Sequence, residues 1–255
     1  MSFADHFSTQ ATDYAKYRPG YPAALFDWLA TLTPGHELAW DVGTGNGQAA
    51  VQVADYFAQV IATDPSADQI RSALAHPRVS YAVLPAEESY LSASSVDLVT
   101  VAQALHWFNF ELFYAQVKRV LKPSGVLAAW TYGLHEISPE LDVVLKRFYS
   151  EIVGPYWPPE RHYIDDAYRS IPFPFAELQV PAMRLELMWT LHDLVGYLGT
   201  WSATQRYIKA QQSDPRELIF KELQDAWGSA QQQLVSWPLY FRIGALTPIN
   251  APQLA

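Results

Sequence analysis

The sequence predicts an α/β fold: a mostly parallel sheet with helices on both faces. Three observations lead there. Through the first half of the chain, short β-branched runs alternate with amphipathic stretches, which is the pattern of successive strand–helix units. Half of the 255 residues are apolar, enough to bury a sizeable core. A turn with glycines at 43, 45 and 47 sits between the first strand and the helix that follows it.

The elements follow in order. Pro22 suits the first turn of a helix reaching about Thr33. Strand one is Leu38 to Val42, and a helix runs from Gln48 to about Phe57. Strand two is Val60 to Thr63. Ser66 and Gln69 have capping-box spacing, so a helix starts there and ends near Ala75. Strands three and four are Val79 to Val83 and Val96 to Val101. Asn109 is placed to cap a helix from Phe110 to Leu121. Lys122-Pro-Ser-Gly125 reads as a turn into strand five, Val126 to Trp130.

Beyond Trp130 the pattern changes. Ser138-Pro139-Glu140 opens a helix ending near Ile152, and the prolines and aromatics of residues 153–174 suit an irregular cover. Met183 to Thr190 alternates as a strand, Leu194 to Trp201 reads as a helix, and Trp237 to Leu246 is the last strand. Pro215 to Ala230 is a helix with Asp214 as cap and Glu217 as capping-box acid. The two late strands add antiparallel pairs at the sheet edge, giving seven strands. With no clean linker, a single domain over residues 1–255 is expected. It comprises a core with an N-terminal cover at 1–131, lid insertions at 132–236, and a final edge strand and tail at 237–255.

Composition excludes several functions. A net charge of −9 with no Lys/Arg run argues against a nucleic-acid partner. The absence of cysteine rules out disulfides, thiolate metal sites and cysteine nucleophiles. Apart from His106, the other six histidines show no metal-ligand spacing, so no metal is expected. No signal-peptide pattern opens the chain and no apolar stretch reaches membrane-span length. A soluble cytoplasmic protein, monomer or homodimer, is the expectation.

Asp41-Val-Gly43-Thr44-Gly45-Asn-Gly47 is the strongest local signal. Glycines let the backbone approach a ligand and take positive φ without steric cost, and the helix N-terminus behind them has free N–H groups. A dinucleotide fingerprint would put its third glycine at position 48, which is Gln48. Asp41, just ahead of the turn, would repel a pyrophosphate but attract an ammonium group. Asp64 closes strand two, where a carboxylate can accept both hydroxyl protons of a ribose. The bland alternatives are a structural tight turn and an acid that only favours a helix dipole.

These residues, with further segments, resemble the class I S-adenosylmethionine-dependent methyltransferases, nearest to the branch containing trans-aconitate-type small-molecule enzymes. The resemblance covers roughly residues 1–131 and implies a Rossmann-like sheet. Asp41 to Gly47 resembles the motif that holds the methionine part and adenosine, and Asp64, followed by Pro65, matches the ribose acid. Ala86-Glu87 resembles the adenine-edge segment. Val96 to Trp107 resembles the fourth motif, with Gln103 and Ala104 beside the cofactor. Leu121 to Gly125 is similar to the turn before strand five. The segment from Asp13 to Pro22 is similar to the branch's N-terminal cover, which implies Tyr14 and Arg18 near the cofactor's polar end. Tyr197 to Ala203 resembles another segment of the branch.

The implied reaction moves a methyl from a sulfonium to a small-molecule acceptor, at a carboxylate or hydroxyl oxygen. Alignment and water exclusion are the protein's main tasks. His106, at the carboxyl end of strand four, is the candidate to take a proton from the acceptor or hydrogen-bond it. Otherwise it packs beside Trp107 and Phe108. Trp107, Tyr132, Trp157, Trp201 and Tyr207 are candidates for the acceptor pocket, and Arg161, His162 and Arg169 for holding an anion. The absence of an Asn/Asp-Pro-Pro-Tyr/Phe run after strand four speaks against amide or base-amine acceptors. Two rivals remain: a catalytically silent protein that binds S-adenosylmethionine, and an NAD(P)-dependent oxidoreductase. The glycine spacing and the lack of a Tyr-x-x-x-Lys pair disfavour the second.

Overall fold

The computed structural model describes residue 17 and residues 19–248. Tyr14 and Arg18 lie outside the described residues. The strands are β1 (Leu38–Val42), β2 (Gln59–Asp64), β3 (Val79–Val83), β4 (Val96–Ala102), β5 (Leu121–Tyr132), β6 (Ala176–Glu177), β7 (Arg184–Trp189) and β8 (Gln233–Ala245). The helices are α1 (Ala23–Thr31), α2 (Gln48–Val53), α3 (Ala67–Arg71), α4 (Phe110–Val120), α5 (Pro139–Arg147), α6 (Arg161–Asp165), α7 (Leu191–Gly199), α8 (Ser202–Gln211) and α9 (Glu217–Trp227). None of them is long and apolar enough to cross a membrane.

The sheet runs β3-β2-β1-β4-β5-β8-β6, with β7 paired to β8. Strands β1 to β5 are parallel; the pairs made by β8 are antiparallel. Side chains alternate between the two faces, as a strand's period of two requires. Ala39, Ala62, Leu98 and Ala128 pack with α1 and α2 residues such as Leu25, Trp28 and Val53. Trp40, Ile61, Val99 and Leu127 pack with Phe113 and Val117 of α4.

Eight strands form instead of the expected seven, because the two-residue β6 is too short to leave a pattern. The last strand begins at Gln233 rather than Trp237, and it is not outermost. Its second half pairs with β5 from Leu239 to Ala245, while its first half pairs with β7 up to Pro238. Pro238, which has no N–H for the ladder, stands where the strand changes partner. The Lys122–Gly125 turn is a bulge inside β5: Leu121 pairs with Val96, and pairing resumes at Leu98 with Val126. Asp214 does not cap α9 but binds the Arg216 backbone and guanidinium, and the α9 N-cap has no side-chain bond. Ser66, Asn109 and Ser138 do accept N-cap hydrogen bonds as expected.

The order 3-2-1-4-5 reverses direction between β1 and β4, which opens a crevice at their carboxyl ends. The glycine turn, Asp64 and Gln103 all belong to that edge.

Candidate functional site

The turn after β1 is built from glycines in the left-handed region: φ is 66° at Gly43, 56° at Gly45 and 85° at Gly47. Gly43 and Thr44 donate their N–H groups to the Thr63 carbonyl at 2.8 and 3.0 Å, tying the turn to β2. A Cβ on Gly43 would fall 2.6 Å from the Ala104 Cβ, so the turn and the end of β4 touch. At Gly45 a Cβ would meet only Gln69 Oε1, at 3.8 Å, so the backbone there is open to close approach by a ligand.

Asp64 braces this turn. One of its oxygens accepts from Gly45 N–H and the other from Ser66 N–H, both at 2.9 Å. A carboxylate oxygen can accept more than one hydrogen bond, so an acid at the end of β2 that holds the loop is compatible with hydroxyl donors of a ribose. Pro65 is half-buried between Asp64 and the cap of α3. Asp41 lies underneath, fully buried rather than presented at the turn's surface. It accepts from Thr44 Oγ1 at 2.5 Å and Thr100 Oγ1 at 2.6 Å. Burial raises its pKa to about 6, against the opposing effect of these two bonds; the charge of Asp64 adds to the rise. Its attraction for an ammonium group would therefore act from below the turn. Ala86 is buried, and Glu87 Oε1 accepts from Asn109 N–H at 2.8 Å, joining the segment after β3 to the start of α4.

Gln103 follows directly on β4 with φ at 57°, a left-handed value that a residue with a Cβ adopts only under constraint. Its N–H donates to the Trp130 carbonyl at 2.9 Å, and its side-chain oxygen accepts from Thr131. Gln103 also lines a cleft together with His106, Tyr132, Trp157, Arg161 and Trp201. Trp107 lines it too. Tyr207 does not: it packs on Tyr156 with ring centroids 5.0 Å apart. Of the three anion candidates only Arg161 reaches the cleft; His162 and Arg169 bond backbone carbonyls nearby. Arg161 donates from Nε to Tyr149 at 2.6 Å, and its guanidinium lies 4.4 Å from the Trp157 ring centroid.

His106 is buried, with Nδ1 2.8 Å from the Tyr168 hydroxyl. Burial, then the Arg161 charge, lowers its pKa to about 3. It is neutral at pH 7 and a poor proton acceptor, which narrows its expected role to hydrogen bonding. Sequence reading missed Thr100, Thr131 and Tyr168, whose types and neighbours carry no local signal. Tyr197, also in the cleft wall, falls within the segment noted for its resemblance. Among the described residues no three His, Cys, Asp or Glu side chains cluster as a metal site.

Comparison with known proteins bears on the family and the fold. The methyltransferase-domain family profile matches residues 40–129, from β1 through β5. A Dictyostelium discoideum protein described as a methyltransferase is 37% identical over 246 residues, covering 93% of this chain and 94% of the relative. A solved structure described as a type II methyltransferase, from Anaeromyxobacter dehalogenans, is 44% identical. It aligns with a TM-score of 0.86 over 91% of this chain and 100% of that one. A Saccharomyces cerevisiae protein described as S-adenosylmethionine-dependent is 31% identical over 140 residues, 51% of this chain and 47% of its own.

Proposed function

Given that this chain belongs to the class I S-adenosylmethionine-dependent methyltransferases, we propose that it methylates an oxygen of a small carboxylate-bearing molecule. The observation that carries this reading is Arg161, the one cation among the described aromatic, aliphatic and polar side chains that line the cleft beside His106 and Gln103, its Nε 3.5 Å from Asp165 Oδ1 on the same helix. When bound, the cofactor supplies an electrophilic methyl on its sulfonium. Asp41, Gly43, Thr44, Gly45, Gly47 and Asp64 would hold its amino-acid and ribose parts. Pro65, Ala86 and Glu87 would border the adenine, and Gln103 and Ala104 would stand between cofactor and acceptor.

In this reading Arg161 pairs with the acceptor's carboxylate. The rings of Trp157, Trp201 and Tyr132 exclude water, which strengthens that pairing. A carboxylate oxygen is already ionised at neutral pH and needs no base. That suits a site whose histidine has a pKa near 3, and it favours the carboxylate oxygen over a hydroxyl as the methylated atom.

A panel of aromatic and aliphatic carboxylic acids, each beside its amide, offered with methyl-labelled cofactor tests the proposal. Methyl esters are expected from acids; equal turnover of amides would reject the reading. Arg161→Gln should raise the acceptor KM about 10-fold, the loss of one charge-assisted hydrogen bond. The KM for S-adenosylmethionine should not move.

A further inference from the structure

Between α5 and α6 the backbone departs from a regular helix. α5 runs on into a π-helical turn, Phe148–Ile152. There Val153 N–H donates to the Phe148 carbonyl at 3.0 Å. In an α-helix that N–H would have gone to the carbonyl of Tyr149. The Tyr149 carbonyl is thereby released, and it accepts from the Trp157 indole N–H at 3.1 Å. Turns of this kind frequently mark functional sites.

The Tyr149 hydroxyl is engaged as well. It donates to Asp165 Oδ1 and accepts from Arg161 Nε at 2.6 Å. These roles are fixed, because an ionised carboxylate only accepts, a guanidinium only donates and a phenol has one proton. Burial keeps that proton in place by raising the tyrosine pKa well above its ordinary value. Arg161 and Asp165 stand one turn apart on α6, so both reach the same hydroxyl. Their direct ion pair is longer, at 3.5 Å, and Asp165 is half-exposed, so it adds little orientation of its own.

Tyr149 is not itself part of the cleft lining, but Trp157 and Arg161 both are. The guanidinium lies against two rings, 5.1 Å from the Tyr149 centroid and 4.4 Å from the Trp157 centroid. Among the described residues neither Nη1 nor Nη2 of Arg161 has a hydrogen-bond partner.

We propose that Tyr149 is a positioning residue of the acceptor site, a role that rests on the carboxylate reading of Arg161. Its carbonyl holds Trp157, and its hydroxyl occupies Arg161 Nε. With Nε taken, a side-on fork through Nε and Nη2 is closed to the acceptor. The carboxylate is met end-on by Nη1 and Nη2, with two parallel hydrogen bonds.

NMR of the ligand-free, ¹⁵N-labelled protein at pH 7 reads the Tyr149–Arg161 contact through water exchange of the Arg161 Nε–H, assigned by its loss in Arg161→Gln. Tyr149→Phe keeps the ring and removes the hydroxyl, so this exchange should become about fivefold faster or more. The Trp157 indole N–H, which uses the Tyr149 carbonyl, should be unchanged in the same variant and is the control for the local fold. Benzoate, titrated by NMR with S-adenosylhomocysteine present, is the probe of the cleft. Tyr149→Phe should weaken benzoate binding about fivefold when Arg161 is present, and not at all in Arg161→Gln. Unchanged Arg161 exchange in Tyr149→Phe overturns the proposal, as does an equal loss of benzoate affinity in both backgrounds. Benzoate that fails to bind the wild-type protein counts against the carboxylate reading, and the exchange rates then still decide whether Tyr149 holds Arg161.

Discussion

Between Asp41 and Asp64 the site is made mainly of backbone: one strand end, one turn, one short helix and the end of the next strand. Between Gln103 and Ser202 it is made of side chains gathered from β4, β5, α6 and the α7–α8 corner. The side proposed for the donor rests on φ values and N–H groups that tolerate few residues. The side proposed for the acceptor rests mainly on rings and one guanidinium that packing brings together. A turn of the first kind tolerates little change in its residues. A cleft of the second kind can change its guest by exchanging side chains while the sheet beneath stays the same.

This contrast implies a ranking of mutational effects. Gly43→Ala should be the most severe. It sets a Cβ at positive φ, at roughly 1–2 kcal/mol, and drives it against Ala104. Calorimetry with S-adenosylhomocysteine should show affinity reduced by more than about 100-fold, roughly 3 kcal/mol, in a protein whose circular dichroism is unchanged.

Asp41→Asn comes next, through stability. The folded protein raises the carboxyl from 3.8 to about 6. The folded state thus holds the proton more tightly than the unfolded chain. This group's stabilising contribution is complete below pH 4 and is lost as pH rises through 6. Asparagine has no such dependence. Urea unfolding should show the variant's stability rising relative to wild type between pH 4 and 7, by up to about 3 kcal/mol. Its affinity for S-adenosylhomocysteine should fall, and a variant with identical pH dependence would show that Asp41 is ionised at no extra cost.

Asp64→Ala should weaken S-adenosylhomocysteine binding about 10- to 100-fold, roughly 1.5–3 kcal/mol. It also leaves Gly45 N–H without its partner, so Asp64→Asn should lose less. Tyr207→Phe should be the smallest: it lies outside the cleft, and acceptor KM should change by less than about twofold. A large change there would enlarge the acceptor side beyond the cleft described above.

Legibility in the sequence divides along the same line. Glycine spacing, the acid closing β2 and the caps at Ser66, Asn109 and Ser138 are local, and reading them needs only neighbouring residues. Helix α8 escaped notice because its N-cap is Trp201, without a capping side chain, so the usual start signal is missing. The Asp214 cap failed because Arg216, two residues on, competes for the same carboxylate. Trp107, Tyr132, Trp157 and Trp201 were readable as pocket candidates by type, yet Tyr207 had equal standing. Nothing local distinguishes a ring that faces a cleft from one that packs on Tyr156.

The chain's order of residues was enough to determine a parallel α/β sheet, a glycine turn shaped for close ligand approach, and the carboxylate beneath and beside it. Those features depend on φ preferences, hydrogen-bond valence and periodicity, all properties of short stretches. Only the folded arrangement decided that Arg161 shares a cleft with His106, and that Tyr168, 62 residues from His106, meets its ring. Such encounters follow from how distant segments pack, and packing is a property of the whole chain.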